Sequence, residues 1–172
     1  HNCESAFGKM PTTYGCFPDA TWEQRSPAAF GTMHHHILPY VEQEAAYRNS
    51  FDNSWRTTPE RGSADAVVKI FMSPLDPTIR GEDRWDNWMR GQTSYNPNWH
   101  AFGGGWDEDW QIGGKARLAS SFPDGTSNTI AWFERYSECG PGDRMTWGVT
   151  DFYAHVWGEA GDPVAGPIAN KY

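Results

Sequence analysis

The sequence predicts a mixed fold of helix and strand threaded by long irregular loops, and three stretches predict it. Residues 33–52 carry a helical stripe, residues 66–72 form a β-branched run, and residues 129–136 read as a strand apolar on both faces. At 172 residues the chain is expected to form one domain over 1–172, with room for a real core but not for two. Its 10 Trp let few side chains bury much area, so a hydrophobic share of only 38% does not imply disorder.

Each element follows in order. Residues 1–32 are irregular, because Gly8, Pro11, Gly15, Pro18, Pro27 and Gly31 break any long element. A helix near 39–51 comes next, with Pro39 in its first turn, where a missing N–H needs no partner. Val41, Ala45 and Arg48 form one stripe, and Tyr40, Glu44, Tyr47 and Phe51 form an aromatic stripe turned to the core. Residues 66–72 make a strand stopped by Ser73-Pro74, and Leu75-Asp76-Pro77 continues as a turn.

Residues 78–118 read as one long polar insertion holding Trp85, Trp88, Trp99, Trp106 and Trp110, with a short strand at Thr93-Ser94-Tyr95. The stretch Pro123-Asp124-Gly125-Thr126-Ser127-Asn128 is a turn whose short polar side chains can bond neighbouring backbone, making it rigid without burial. It feeds the strand of 129–136, where Ile130 and Trp132 share one face and Ala131 and Phe133 the other. Such a strand is expected to be central and covered on both sides. A turn at Cys139-Gly140-Pro141-Gly142, strands around 145–149 and 152–157, and an extended tail over 158–172 complete the chain.

Net charge is −8 and the isoelectric point about 5.1, which argues against nucleic acid and against anionic membrane surfaces. No run of apolar residues is long enough to span a bilayer. Cys3 and Cys16 flank a loop that a disulfide would close, contributing roughly 3 kcal/mol in the chain-entropy model. Cys139 is then left over, and no Cys/His zinc pattern is present.

The candidate chemistry is sparse. His34-His35-His36 cannot all face one ion on a regular element, and they read as a polar lead into the helix. Asp107 and Asp109, between Trp106 and Trp110, supply the hard oxygens calcium prefers, though without an EF-hand framework. Calcium at Asp107 and Asp109 is therefore the cofactor the sequence suggests. There is no Gly-x-Ser-x-Gly elbow, no Cys/His signature and no phosphate loop, so no catalytic residue is assigned.

Several segments fall in a recognisable order. They are His1-Asn2 with Gly8 and Pro11; Ile37-Leu38-Pro39-Tyr40-Val41-Glu42-Gln43 with Tyr47, Phe51-Asp52 and Trp55; Phe71-Met72-Ser73-Pro74-Leu75-Asp76-Pro77; Thr93-Ser94-Tyr95; and Asp124-Gly125-Thr126-Ser127-Asn128-Thr129-Ile130 with Glu134. In this the chain resembles, over roughly residues 1–136, the prepilin-like proteins of uncharacterised function abundant in planctomycete bacteria. These are similar to type II secretion pseudopilins and type IV pilins.

The resemblance implies an α+β pilin-like head, an antiparallel sheet packed against the remnant of an N-terminal helix. That helix would carry the prepilin cleavage site and the membrane contact, and nearly all of it would be missing here. The resemblance makes Leu38, Pro39, Tyr40, Glu42, Gln43, Pro74, Asp76, Pro77, Asp124 to Asn128 and Glu134 a structural motif with no reaction to run. Where the family carries Cys and Ser in its Phe-x-Cys-Pro-Ser-Asp-Pro strand, this chain has Ser73 and Leu75, so no disulfide forms there. Residues 137–172 match nothing in the pattern.

The expected function is a non-enzymatic exported subunit that assembles with copies of itself or with related pilin-like chains. The rival expectation is an extracellular module that stacks Trp85, Trp88, Trp99, Trp106 and Trp110 on a polysaccharide.

Overall fold

The computed structural model describes residues 2–18, 29–49, 67–79, 82–85, 88–103, 114–140 and 143–144. Within them the protein is a mixed α+β structure of short helices and small two-stranded antiparallel sheets. Helix α1 spans Asn2–Phe7 and ends on Gly8, whose φ of 69° and N–H bond to the Glu4 carbonyl (2.6 Å) make a left-handed cap. The Glu4 carboxylate accepts from the Leu118 N–H at 2.7 Å, and Met10 N–H donates to the Ala116 carbonyl at 2.7 Å. The chain start is thereby tied to residues 114–118.

Strand β1 (Tyr14–Phe17) pairs antiparallel with β2 (Ala29–Thr32), with Gly15 opposite Gly31. Thr32 ends β2 and caps α2 (Met33–Ile37), its hydroxyl accepting from the His35 N–H at 3.3 Å. A 3-10 turn over Leu38–Tyr40 follows, with Pro39 in its first turn. The single helix expected near 39–51 is interrupted here. Glu42 takes φ 61°, and the Gln43 N–H reaches back to the Leu38 carbonyl at 3.0 Å, the Schellman pattern that ends a helix. Helix α3 then covers Glu44–Asn49.

The strand expected over 66–72 is a 3-10 turn, Lys69–Phe71. Burial explains it: Val68 and Phe71 are buried, whereas Val67 and Ile70 are exposed, a spacing of three where a strand would give two. Strands β3 (Glu82–Trp85) and β4 (Trp88–Gly91) pair with Trp85 opposite Trp88, a hairpin inside what the sequence suggested was an irregular insertion. Strand β5 (Tyr95–Pro97) pairs with β6 (Trp132–Glu134), and Arg135 N–H to Ser94 carbonyl and Asn98 N–H to Ala131 carbonyl, both 2.9 Å, extend the contact. The doubly covered strand of 129–136 is corrected on both counts. It holds three ladder residues, and Ile130 is 57% exposed. Helix α4 (Trp99–Phe102) follows β5, and β7 (Glu138–Gly140) pairs with β8 (Asp143–Arg144) through a bulge. The strands suggested around 145–149 and 152–157, and the tail, lie outside the described residues.

Among the described residues, two apolar clusters form a core. Leu38, Val68 and Phe71 pack with Val41, Ala46 and Tyr47; Met33, Phe102 and Ala116 pack with Met10, Phe122 and Trp132; Ile37 touches both. Among the described residues fifteen polar or charged side chains are buried against nine hydrophobic ones. Hydrogen bonding, as much as apolar area, therefore decides this interior.

Candidate functional site

The segment Ser73-Pro74-Leu75-Asp76-Pro77 closes a polar knot. Pro74 and Pro77 turn the chain at the surface, and Asp76 points inward and is only 6% exposed. One of its carboxylate oxygens accepts from the Thr78 N–H (2.9 Å) and hydroxyl (2.6 Å). The other accepts from the Ser94 hydroxyl (2.8 Å) and the Ser137 N–H (2.7 Å). Ser94 in turn accepts from the Ser73 N–H at 3.2 Å, and the Thr78 hydroxyl accepts from the Glu138 N–H at 3.0 Å. Burial by itself raises the Asp76 pKa, but these four donors outweigh it and hold the carboxyl below its ordinary range. With both oxygens engaged, the carboxylate serves as a clasp between three chain segments.

Beside the knot sit the three consecutive histidines, and the expectation of a polar lead is corrected. They lie within α2, exposed by 0%, 0% and 3%. The helical turn fans them in different directions. His34 Nε2 lies 2.8 Å from the Tyr95 carbonyl, between the rings of Phe71 (4.9 Å) and Trp132 (5.0 Å). His35 packs on Tyr47 at 5.1 Å, and His36 Nε2 lies 3.0 Å from the Gly15 carbonyl, against Phe17. Burial lowers all three pKa values, those of His34 and His36 to about 4 in spite of their carbonyl bonds, which act the other way. A capping Thr32 followed by a helical run was the signal that could have placed them inside.

Above His34 opens an apolar groove of about 270 Å³ lined by Ile37, Val41, Ile70, Phe71, Tyr95 and Trp132. It joins the end of α2, the 3-10 turn and the β5–β6 pair. Almost no polar surface faces it, so it suits an aliphatic or aromatic group.

The remaining sequence candidates are dispersed. Leu38 is fully buried, Pro39 and Tyr40 are half-buried, and Gln43 supplies the bond that closes the turn. The loop of Asp124, Gly125, Thr126, Ser127 and Asn128 is exposed and tied to itself. Asn128 donates through its side chain to the Asp124 carbonyl (2.7 Å) and through its N–H to the Gly125 carbonyl (3.0 Å). Glu134 is exposed on β6 opposite Tyr95. Trp85 and Trp88 are paired in register at the end of the hairpin, and Trp99 begins α4. Trp106, Trp110 and the calcium candidates Asp107 and Asp109 lie outside the described residues. No group of three or more His, Cys, Asp or Glu suited to a metal occurs among the described residues.

Cys3 and Cys16 are buried thiols, so the expected ring between them is not formed. Cys3 instead bonds Tyr40, and burial pushes both thiols up to about 11. No helix among the described residues is long and apolar enough to cross a membrane.

No curated protein and no solved structure matches the chain. A family model described as "protein of unknown function (DUF1559)" does, over residues 1–164. With nearly its whole length covered, the chain belongs to the DUF1559 family, a prepilin-type family of unknown function common in planctomycetes.

Proposed function

We propose that this chain is a non-enzymatic, exported structural subunit of pilin or pseudopilin type, whose head assembles into a cell-surface filament or a secretion pseudopilus. Membership of a prepilin-type family over residues 1–164 is the observation that carries the reading. In such a subunit α1 would be the point where a stem helix enters the head, with Glu4 anchoring it to residues 114–118. The clasp at Asp76 and the self-tied loop at 124–128 fix the shape of a surface that meets its neighbours without reacting. The groove at Trp132, together with exposed Ile70, supplies the apolar contact such a neighbour would cover.

The test is antibody-labelled electron microscopy of the native cells. Label along filaments or at envelope assemblies is expected; label confined to dispersed, soluble protein would sink the proposal. The polysaccharide reading needs Trp85, Trp88, Trp99, Trp106 and Trp110 as stacking platforms, none of which lines this groove, so the subunit reading is preferred on family membership alone. A saturable shift of tryptophan fluorescence with a polysaccharide would restore the polysaccharide reading.

A further inference from the structure

We infer that α2 is an acid-sensitive latch: its three buried imidazoles hold the β1–β2 pair, the 3-10 turn and the β5–β6 pair together only while neutral, and protonation releases them. The argument rests on placement. Five residues of helix carry three imidazoles into three different surroundings, each shared with a different part of the fold.

His34 meets β5 through the Tyr95 carbonyl and Thr93 hydroxyl, the 3-10 turn through Phe71, and β6 through Trp132. A carbonyl only accepts, so Nε2 carries the His34 proton. Nδ1 is buried with no hydrogen-bond partner. A second proton on Nδ1 would place a charged N–H in a site with nothing to receive it.

His36 meets β1 through the Gly15 carbonyl and Phe17, with the Gly31 carbonyl of β2 close by. His35 faces Tyr47 of α3, and a Cβ at Gly31 would stand 3.1 Å from its ring, so β2 lies against it. The neighbouring rings of His35 and His36 are 5.6 Å apart, and charging one opposes charging the other. Among the described residues, the ionisable group facing this side is the Tyr47 phenol, with Tyr40 and Cys3 beyond it, all neutral in the acid range. In the adjoining knot the Asp76 carboxylate is engaged by Thr78, Ser94 and Ser137.

The sign follows from the depressed folded values. The stability these groups contribute is fully present above their ordinary value of 6.5 and is lost as pH falls from there toward about 4. Asp76, held below its ordinary carboxyl value of 3.8, acts in a lower window, so the two are separable.

The experiment measures melting temperature and proton uptake on unfolding from about pH 8 to about pH 4 in wild type and in the H34Q/H36Q double variant. Glutamine keeps an amide donor for the Tyr95 and Gly15 carbonyls but does not titrate. Wild type is expected to lose stability through the upper window while unfolding takes up on the order of two to three protons, and the double variant to lose most of that slope. A level wild-type profile, or an unchanged slope in the variant, overturns the latch. If the variant does not fold, histidine NMR of wild type decides. The α2 resonances are expected to keep neutral shifts until cooperative unfolding, and their reversible titration near 6.5 in the folded protein overturns it.

Discussion

Asp76 shows how one side chain can set the shape of a surface. Its four accepted hydrogen bonds join residues 76–78, 94 and 137, segments far apart in the chain. Replacing it by Asn puts an amide NH₂ where donors already point. D76N is expected to cost about 2–4 kcal/mol in urea denaturation at neutral pH, since bonds to a charged acceptor are worth about 1.5–3 each. Because the folded carboxyl titrates below its ordinary range, wild-type stability from this residue is present above about pH 4 and lost as pH falls below it. The D76N variant should lack that lowest acid limb.

The motif was legible in sequence as a turn; the clasp was not. An Asp followed two residues later by Thr is a local signal, whereas the bonds to Ser94 and Ser137 depend on packing that no short window contains. The histidines failed for a related reason. Their polarity suggested surface, and only the carbonyls of Tyr95 and Gly15, brought in by tertiary structure, make burial tolerable.

At the scale of elements, periodicity located the helical region but not its break. Of the expected stripe, Tyr47 packs on the core but Glu44 is exposed and pairs with Arg48, and Glu42 in the left-handed region divides the stretch into a 3-10 turn and α3. Nothing in the residue type Glu announces a positive φ. The β-branched run failed the other way, because contact with Leu38 rewards Val68 and Phe71 at a spacing of three and overrides strand propensity. The join between α1, β1 and residues 114–118 carries a sharper expectation. Gly114 has φ 79°, and a Cβ there would sit 2.5 Å from the Met10 carbonyl oxygen and 3.2 Å from the Phe17 ring. G114A is expected to lower stability by about 2 kcal/mol or more, from left-handed strain and collision with backbone together. Thermal unfolding followed by circular dichroism checks it. An Ala variant as stable as wild type would mean that the loop is not held against residue 10.

For the whole molecule, the subunit proposal places the groove of Ile37, Val41, Ile70, Phe71, Tyr95 and Trp132 against a neighbour. Ile70 is 59% exposed, so I70E should change the fold's stability by no more than about 0.5 kcal/mol. It is expected to reduce self-association, read by sedimentation across concentration. Equal association by I70E and wild type would move the contact to another face.

Among the described residues, the balance of fifteen buried polar side chains to nine hydrophobic ones has a thermal consequence. Hydrating newly exposed hydrocarbon raises heat capacity, whereas hydrating amides, hydroxyls and imidazoles lowers it. Calorimetry should therefore find an unfolding increment below the usual value of about 12–15 cal/mol/K per residue. The stability curve would be broad and shallow, and the molecule correspondingly indifferent to cold.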